Sequence, residues 1–156
     1  MNYLKIIKEN YEENVLLTKN SLADLEENIL KISQIISKAL SNGNTIFWCG
    51  NGGSASDSNH LSTEFVGRFD KDRKSLCSIS LSSDTTLITC IANDFGFENI
   101  YSRQLEGLGK EGDVLIAIST SGRSKNIINS LLEAKKKKIV TIALLGKDGG
   151  EALNIA

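Results

Sequence analysis

The chain has 156 residues, 40% hydrophobic and 24% charged, which suits one globular domain with a buried core. Eighteen basic residues stand against nineteen acidic ones, a net charge of -1, which excludes a global pull toward nucleic acid or an anionic membrane, so any anion must be bound by local groups. No stretch approaches the roughly 20 apolar residues of a membrane span, and the opening MNYLKIIKENYEEN has neither a signal core nor a cleavage site; a cytoplasmic protein is expected.

The first elements read as helices. Leu4, Ile7, Tyr11 and Val15 fall at helical spacing, and Leu22, Leu25, Ile29, Ile32, Ile36 and Leu40 repeat it in steps of three and four. We expect two amphipathic helices, the second opened by a Ser21/Asp24 capping box and stopped by Asn42-Gly43-Asn44. The period then changes. Thr45 to Cys49 is a short β-prone run, followed by the loop Gly50-Asn51-Gly52-Gly53-Ser54 and a helix to about Arg68. The pattern recurs as Leu76 to Ser80 with a helix from about Asp84, and as Asp113 to Ile118 with a helix from about Ser124; Ile139 to Leu144 is a fourth strand. Continuous apolar strands alternating with helices predict an α/β fold, a doubly wound parallel sheet with helices on both faces. The lysine run 135–138 ends a predicted helix, where cations suit the negative end of the dipole. Residues 151–156 read as the first turns of a further helix with no cap, and we expect that a C-terminal segment follows in the full protein.

In open α/β sheets ligands sit beyond the carboxyl ends of the strands, so the loops after strands carry the chemistry. Gly50-Asn51-Gly52-Gly53-Ser54 lets bare backbone approach a ligand and aims amides from a helix N-terminus at it. Ser119-Thr120-Ser121-Gly122-Arg123-Ser124 offers four hydroxyls, a glycine and a second helix N-terminus, which suits the oxygens of a phosphate monoester, though Ser and Thr also serve as caps and turn formers. Arg123 suits either a phosphate partner or a solvated side chain. Gly50-x-Gly52-x-x-Ala55 formally matches the dinucleotide fingerprint, but the second strand ends in Ser80-Leu81-Ser82, with no acidic residue for a ribose. No GxxxxGK[ST] loop is present.

His60, the one histidine, stands four residues before Glu64 on the helix after the first loop, so the two share a face. The pair suits a surface hydrogen bond or two ligands of one Zn²⁺. Asp94, in Ala92-Asn93-Asp94-Phe95-Gly96, is placed to cap a helix or to touch a ligand. Cys49, Cys77 and Cys90 are too widely spaced for a zinc ribbon or disulfide framework, and buried thiols are expected.

Together, Cys49 to Ser54, His60-x-x-x-Glu64, Gly67-Arg68, Asn93-Asp94-Phe95-Gly96-Phe97, and Gly112-Asp113-Val114-Leu115 leading into Ser119-Thr120-Ser121-Gly122 resemble the phosphoheptose isomerases of the sugar isomerase (SIS) family. The resemblance runs from the first helix to Gly150 and implies a single SIS domain with the flavodoxin-like three-layer arrangement. It implies conversion of sedoheptulose 7-phosphate to D-glycero-D-manno-heptose 7-phosphate, the first step toward heptoses of bacterial surface polysaccharides such as lipopolysaccharide or capsule. That interconversion moves a proton between adjacent carbons through an enediol and needs a base and a polarised carbonyl. By resemblance, Asn51, Gly52, Gly53 and Ser54 line the substrate, Asn93 and Asp94 contact its sugar, and Ser119, Thr120, Ser121 and Ser124 bind its phosphate. His60 and Glu64 ligate zinc, and Glu64 is also the acid–base residue and touches substrate. Family members are homotetramers whose opening helices pack between subunits, and they continue into a strand and a helix bearing a Gln and a His, further zinc ligands absent from these 156 residues. A non-catalytic tetrameric SIS protein that regulates replication initiation is the alternative; Glu64 and the Asp-Phe-Gly-Phe run favour the enzymes. A SIS isomerase for another sugar phosphate is disfavoured by the residues around Asn93.

Overall fold

A computed structural model describes residues 1–156. They fall into two compact units, Met1–Ile35 and Ile36–Ala156.

The first unit is helical. It belongs to α1 (Tyr3–Ser41), a single uninterrupted helix, so the two expected opening helices are one. The reason lies at Ser21. Its hydroxyl donates back to the Thr18 carbonyl at 3.3 Å instead of accepting from a downstream amide, and Thr18 bonds the Asn14 carbonyl at 2.8 Å in the same way. Both residues keep helical backbone, and with no Gly or Pro between Tyr3 and Ser41 nothing interrupts the ladder. The apolar stripe is real but uncovered: Leu4, Ile7, Tyr11, Val15, Leu22, Leu25 and Ile29 are all exposed. The expected stop at Asn42-Gly43 holds, with Gly43 at φ 77°.

The second unit is a four-stranded parallel sheet in the order β2-β1-β3-β4. Its elements are β1 (Ile46–Gly50), α2 (Gly53–Val66), β2 (Ser78–Ser80), α3 (Thr85–Phe95), a 3₁₀ turn (Phe97–Asn99), α4 (Ser102–Leu108), β3 (Val114–Ser119), α5 (Lys125–Lys136), β4 (Val140–Leu145) and a closing 3₁₀ turn (Glu151–Asn154). Strand boundaries differ from expectation by one or two residues; Ser119 ends β3 and does not begin the loop. Residues 151–154 form the 3₁₀ turn where an α-helix was expected, and Ala152 is buried in the core.

The central strands are covered on both faces, which is why β1 is buried at every position. Phe47 and Cys49 of β1 join Leu115 and Ala117 of β3 in one cluster with Ile91 of α3, Leu105 of α4, and Ile127 and Leu131 of α5. On the other face Trp48 stacks at a tilt on Phe65 of α2, centroids 5.7 Å apart, and donates to the Ser78 hydroxyl at 2.9 Å. Caps follow the sequence signals. Asp84 accepts from the Leu87 amide at 2.9 Å at the start of α3, Gly96 at φ 88° ends it, and the lysine run closes α5. The buried Asp113 ties the amino ends of the strands together. It accepts from the Thr45 amide at 2.8 Å and the Lys110 amide at 2.9 Å, and pairs with the Lys110 ammonium at 2.7 Å.

Of the three thiols only Cys49 is buried; burial pushes it up to about 12 against a weaker opposing hydrogen bond from Ser130. Cys77 and Cys90 are exposed, contrary to expectation. Cys77 precedes the three-residue edge strand β2, and Cys90 lies on the outer side of α3, so neither position faces the core.

Candidate active site

The strand order reverses direction between β1 and β3: β1 leads by α2 to its neighbour on one side, and β3 leads by α5 to its neighbour on the other. Between adjacent strands whose helices diverge, a crevice opens at the carboxyl ends. Both loops singled out from sequence sit there. A cavity of about 150 Å³ is lined by Asn51 and Ser54 from the first loop, and by Ile118, Ser119, Thr120, Ser121 and Ser124 from the second.

The first loop leaves β1 at Gly50, where a Cβ would stand 2.4 Å from the Ser54 carbonyl oxygen; only glycine lets α2 begin so close to the strand. Gly52, at φ 56°, turns the chain so that α2 starts at Gly53. The second loop closes on itself through the Ser119 hydroxyl, which accepts from the Gly122 amide at 3.0 Å. Gly122 has φ 62°, and a Cβ there would lie 1.8 Å from the Gly149 carbonyl oxygen. Ser124 stands at the N-cap of α5 but its hydroxyl makes no cap bond, so it is not consumed by the helix. Two helix starts, each with amides and the positive end of a dipole, therefore meet a group of hydroxyls. The chemistry offered is the recognition of a small oxyanion.

Arg123 takes no part in the cavity lining. Its guanidinium grips Asp148 at 2.9 and 2.5 Å, and that hydrogen bonding pulls the Asp148 carboxyl down to about 2.

His60 and Glu64 lie side by side on α2, as their spacing requires, with Nε2 3.4 Å from Oε1; His60 is exposed and Glu64 half-buried. The pair stands apart from the cavity lining. Asn93 and Asp94 occupy the last turn of α3, both exposed. Asp94 caps no helix start, that role at α3 falling to Asp84; its carboxylate accepts from Asn93 Nδ2 at 2.8 Å. The structure thus brings Asn51, Ser54, Ser119, Thr120, Ser121 and Ser124 together, leaves Gly52 and Gly53 as the turn and first residue of α2, and holds His60/Glu64 and Asn93/Asp94 as two separate pairs.

Three residues that sequence reasoning passed over hold the first loop in place. The Tyr101 hydroxyl donates to the Gly50 carbonyl, the Ser82 hydroxyl reaches the same oxygen at 3.2 Å, and the Asn126 amide pairs with that of Asn51. Burial pushes the Tyr101 hydroxyl up, keeping it a donor. A polar Asn126 beside Ile127 and Ile128 on the buried face of α5 was the one available signal. Arg73 was also missed; its guanidinium caps the end of α2 by donating to the carbonyls of Glu64 at 2.5 Å and Phe65 at 2.8 Å.

Residues 10–146 match the family model described as SIS domain. The chain is 54% identical over 127 residues to a phosphoheptose isomerase of Nitratiruptor sp., covering 81% of this chain and 68% of that one. It is 47% identical over 156 residues to the phosphoheptose isomerase of Sulfurimonas denitrificans, covering 97% and 79%. Among solved structures it superposes on a phosphoheptose isomerase from Francisella tularensis with TM-score 0.95 at 32% identity, covering 99% of this chain and 81% of that one. For phosphoheptose isomerase GmhA from Neisseria gonorrhoeae the TM-score is 0.91 at 34% identity, covering 97% and 79%.

Proposed function

For a chain that belongs to the phosphoheptose isomerases of the SIS domain family, we propose conversion of sedoheptulose 7-phosphate to D-glycero-D-manno-heptose 7-phosphate by an enediol-type proton transfer. The observation that carries this reading is the cavity at the switch point, where Ser119, Thr120, Ser121 and Ser124 meet the starts of two helices. Such a site takes the phosphate on C7. The reacting C1–C2 pair stands at the other end of the substrate, so the proton-carrying group need not touch the phosphate cavity, and Glu64 does not. Half-buried on α2, the Glu64 carboxylate is the group to lift a proton from one carbon and return it to the next. Asn51 and Ser54 orient the chain of hydroxyls from the first loop, and Asn93 and Asp94 bind the sugar.

His60 and Glu64 fit two positions of a Zn²⁺ site, because their 3.4 Å separation is about what two ligands of one tetrahedral ion at about 2 Å require. No third His, Cys, Asp or Glu joins the pair, so these residues supply two ligands of such a site and not a full set. A zinc ion held there supplies Lewis-acid polarisation of the substrate's carbonyl oxygen. The exposed apolar stripe of Met1–Ile35 supports a homotetramer formed through the opening helix, since an isolated amphipathic face of that length needs a partner. No helix is long and apolar enough to cross a membrane. We place the protein in the cytoplasm, feeding heptose to a surface polysaccharide.

The test is turnover followed by NMR: the full-length protein mixed with sedoheptulose 7-phosphate, with and without added zinc. Heptose 7-phosphate is expected to form, and Glu64→Gln is expected to lower kcat by about a hundredfold or more. A folded, assembled protein that forms no product overturns the reading.

A further inference from the structure

Asn126, 2% exposed in the first turn of α5, faces Asn51 in a reciprocal pair. Asn51 Nδ2 donates to Asn126 Oδ1 at 2.9 Å, and Asn126 Nδ2 donates to Asn51 Oδ1 at 2.8 Å. A carboxamide can ordinarily be flipped, exchanging its oxygen and nitrogen. Here the Ile127 backbone N–H donates to Asn126 Oδ1 at 3.0 Å, and a backbone amide cannot accept, so the Asn126 orientation is fixed by chemistry. Asn126 then fixes Asn51, because flipping Asn51 alone would set donor against donor and acceptor against acceptor. Asn51 Oδ1 also has the Tyr101 hydroxyl at 3.3 Å. Its oxygen accepts from Asn126, and one N–H of Nδ2 is left over in a residue that lines the cavity.

We propose that Asn126 is a positioning residue for the reaction. It holds Asn51 with its oxygen turned to Asn126 and an N–H free to donate to substrate, and it ties the first loop to the helix that starts at the second. The inference rests on the cavity being the substrate site. It makes the contact directional: the Asn51 N–H donates to an oxygen lone pair of substrate, whereas an ammonium group, as on an amino sugar phosphate, meets another donor at Nδ2.

The experiment compares Asn126→Leu and Asn126→Asp with wild type between pH 5.5 and 8. Leucine keeps the branching at Cγ and removes both bonds; kcat/KM is expected to fall by about tenfold at every pH, with inorganic phosphate affinity within about twofold of wild type. The carboxyl introduced by Asn126→Asp behaves differently in its two states. Ionised, it presents two acceptors and repels Asn51 Oδ1; protonated, it restores one acceptor and one donor. Burial raises its pKa while the Ile127 amide and the start of α5 lower it; this variant is expected to match Asn126→Leu at pH 8, where the carboxyl is ionised, and to regain activity relative to wild type as acid protonates it. The titratable groups against the pair stay out of this profile: Tyr101 and, behind it, Cys49 on β1 are both raised by burial and neutral throughout.

An Asn126→Leu enzyme within about twofold of wild type in kcat/KM overturns the proposal, as does an Asn126→Asp enzyme that matches wild type at pH 8. Side-chain amide NMR reads the pair without turnover. Slow exchange of the Asn51 Nδ2 proton bonded to Asn126 in wild type, lost in Asn126→Leu, supports the pair even if the wild-type protein proves not to turn over sedoheptulose 7-phosphate; fast exchange of that proton in wild type overturns it.

Discussion

The loop after β1 is held by side chains that arrive from distant parts of the chain, Tyr101 and Ser82 on the Gly50 carbonyl and Asn126 on Asn51. The loop after β3 closes on itself through its own Ser119 and is held to the rest of the chain by backbone against backbone, with Gly122 pressed on Gly149 and the Ala152 amide donating to the Gly122 carbonyl at 3.0 Å. Side-chain anchors can be removed one at a time and fail by degrees. Backbone contact at this distance has no room to give, so it fails at once.

The largest expected effect follows from that. Gly122→Ala puts a Cβ 1.8 Å from the Gly149 oxygen at φ 62°, and should cost about 3 kcal/mol or more, roughly 10 °C in Tm, with loss of phosphate binding. Thermal unfolding and phosphate titration check it; an alanine enzyme that melts with wild type would show that the second loop yields. Tyr101→Phe sharpens the contrast from the other side. It removes one hydroxyl from the Gly50 carbonyl while Ser82 remains, so about 1 kcal/mol of stability is expected to go. kcat should fall with phosphate affinity unchanged; were both to fall together, the two loops would not be held independently.

The smallest effect belongs to Arg123 and Asp148. Both are exposed, so Asp148→Asn should leave Tm and kcat/KM close to wild type near neutral pH, solvent screening having already weakened the pair. Its pH dependence has a definite sign. The Asp148 carboxyl is lowered to about 2 in the folded protein, so its contribution is present above the ordinary carboxylate range and lost as pH falls from about 4 through 2. Acid unfolding of Asp148→Asn should therefore show a shallower loss in that window than wild type.

The alternation of strands and helices, and with it the sheet and both cavity loops, was legible in the sequence because each signal is local: apolar runs, glycines, and hydroxyls at helix starts. Ser21 was not, since a serine hydroxyl can cap forward or bond backward and the same residues serve either use. Tyr101 and Asn126 were illegible for another reason. Their partners lie 51 and 75 residues away in sequence, and only the parallel crossovers bring them to Gly50 and Asn51. Cys77 and Cys90 show the limit of composition, because a thiol's habit of burial says nothing about an edge strand or the outer side of a helix.

The placement of β1 at the centre of the sheet also bears on how the chain is made. Ile46 pairs with Ser78 on one side and with Val114 on the other, and both partners come later in the sequence. On a ribosome adding about 5–20 residues per second, the strand that ends buried at every position waits several seconds with one ladder open. During that time Phe47 and Trp48 are available to other nascent chains, and the speed of translation through residues 51–119 becomes a determinant of yield.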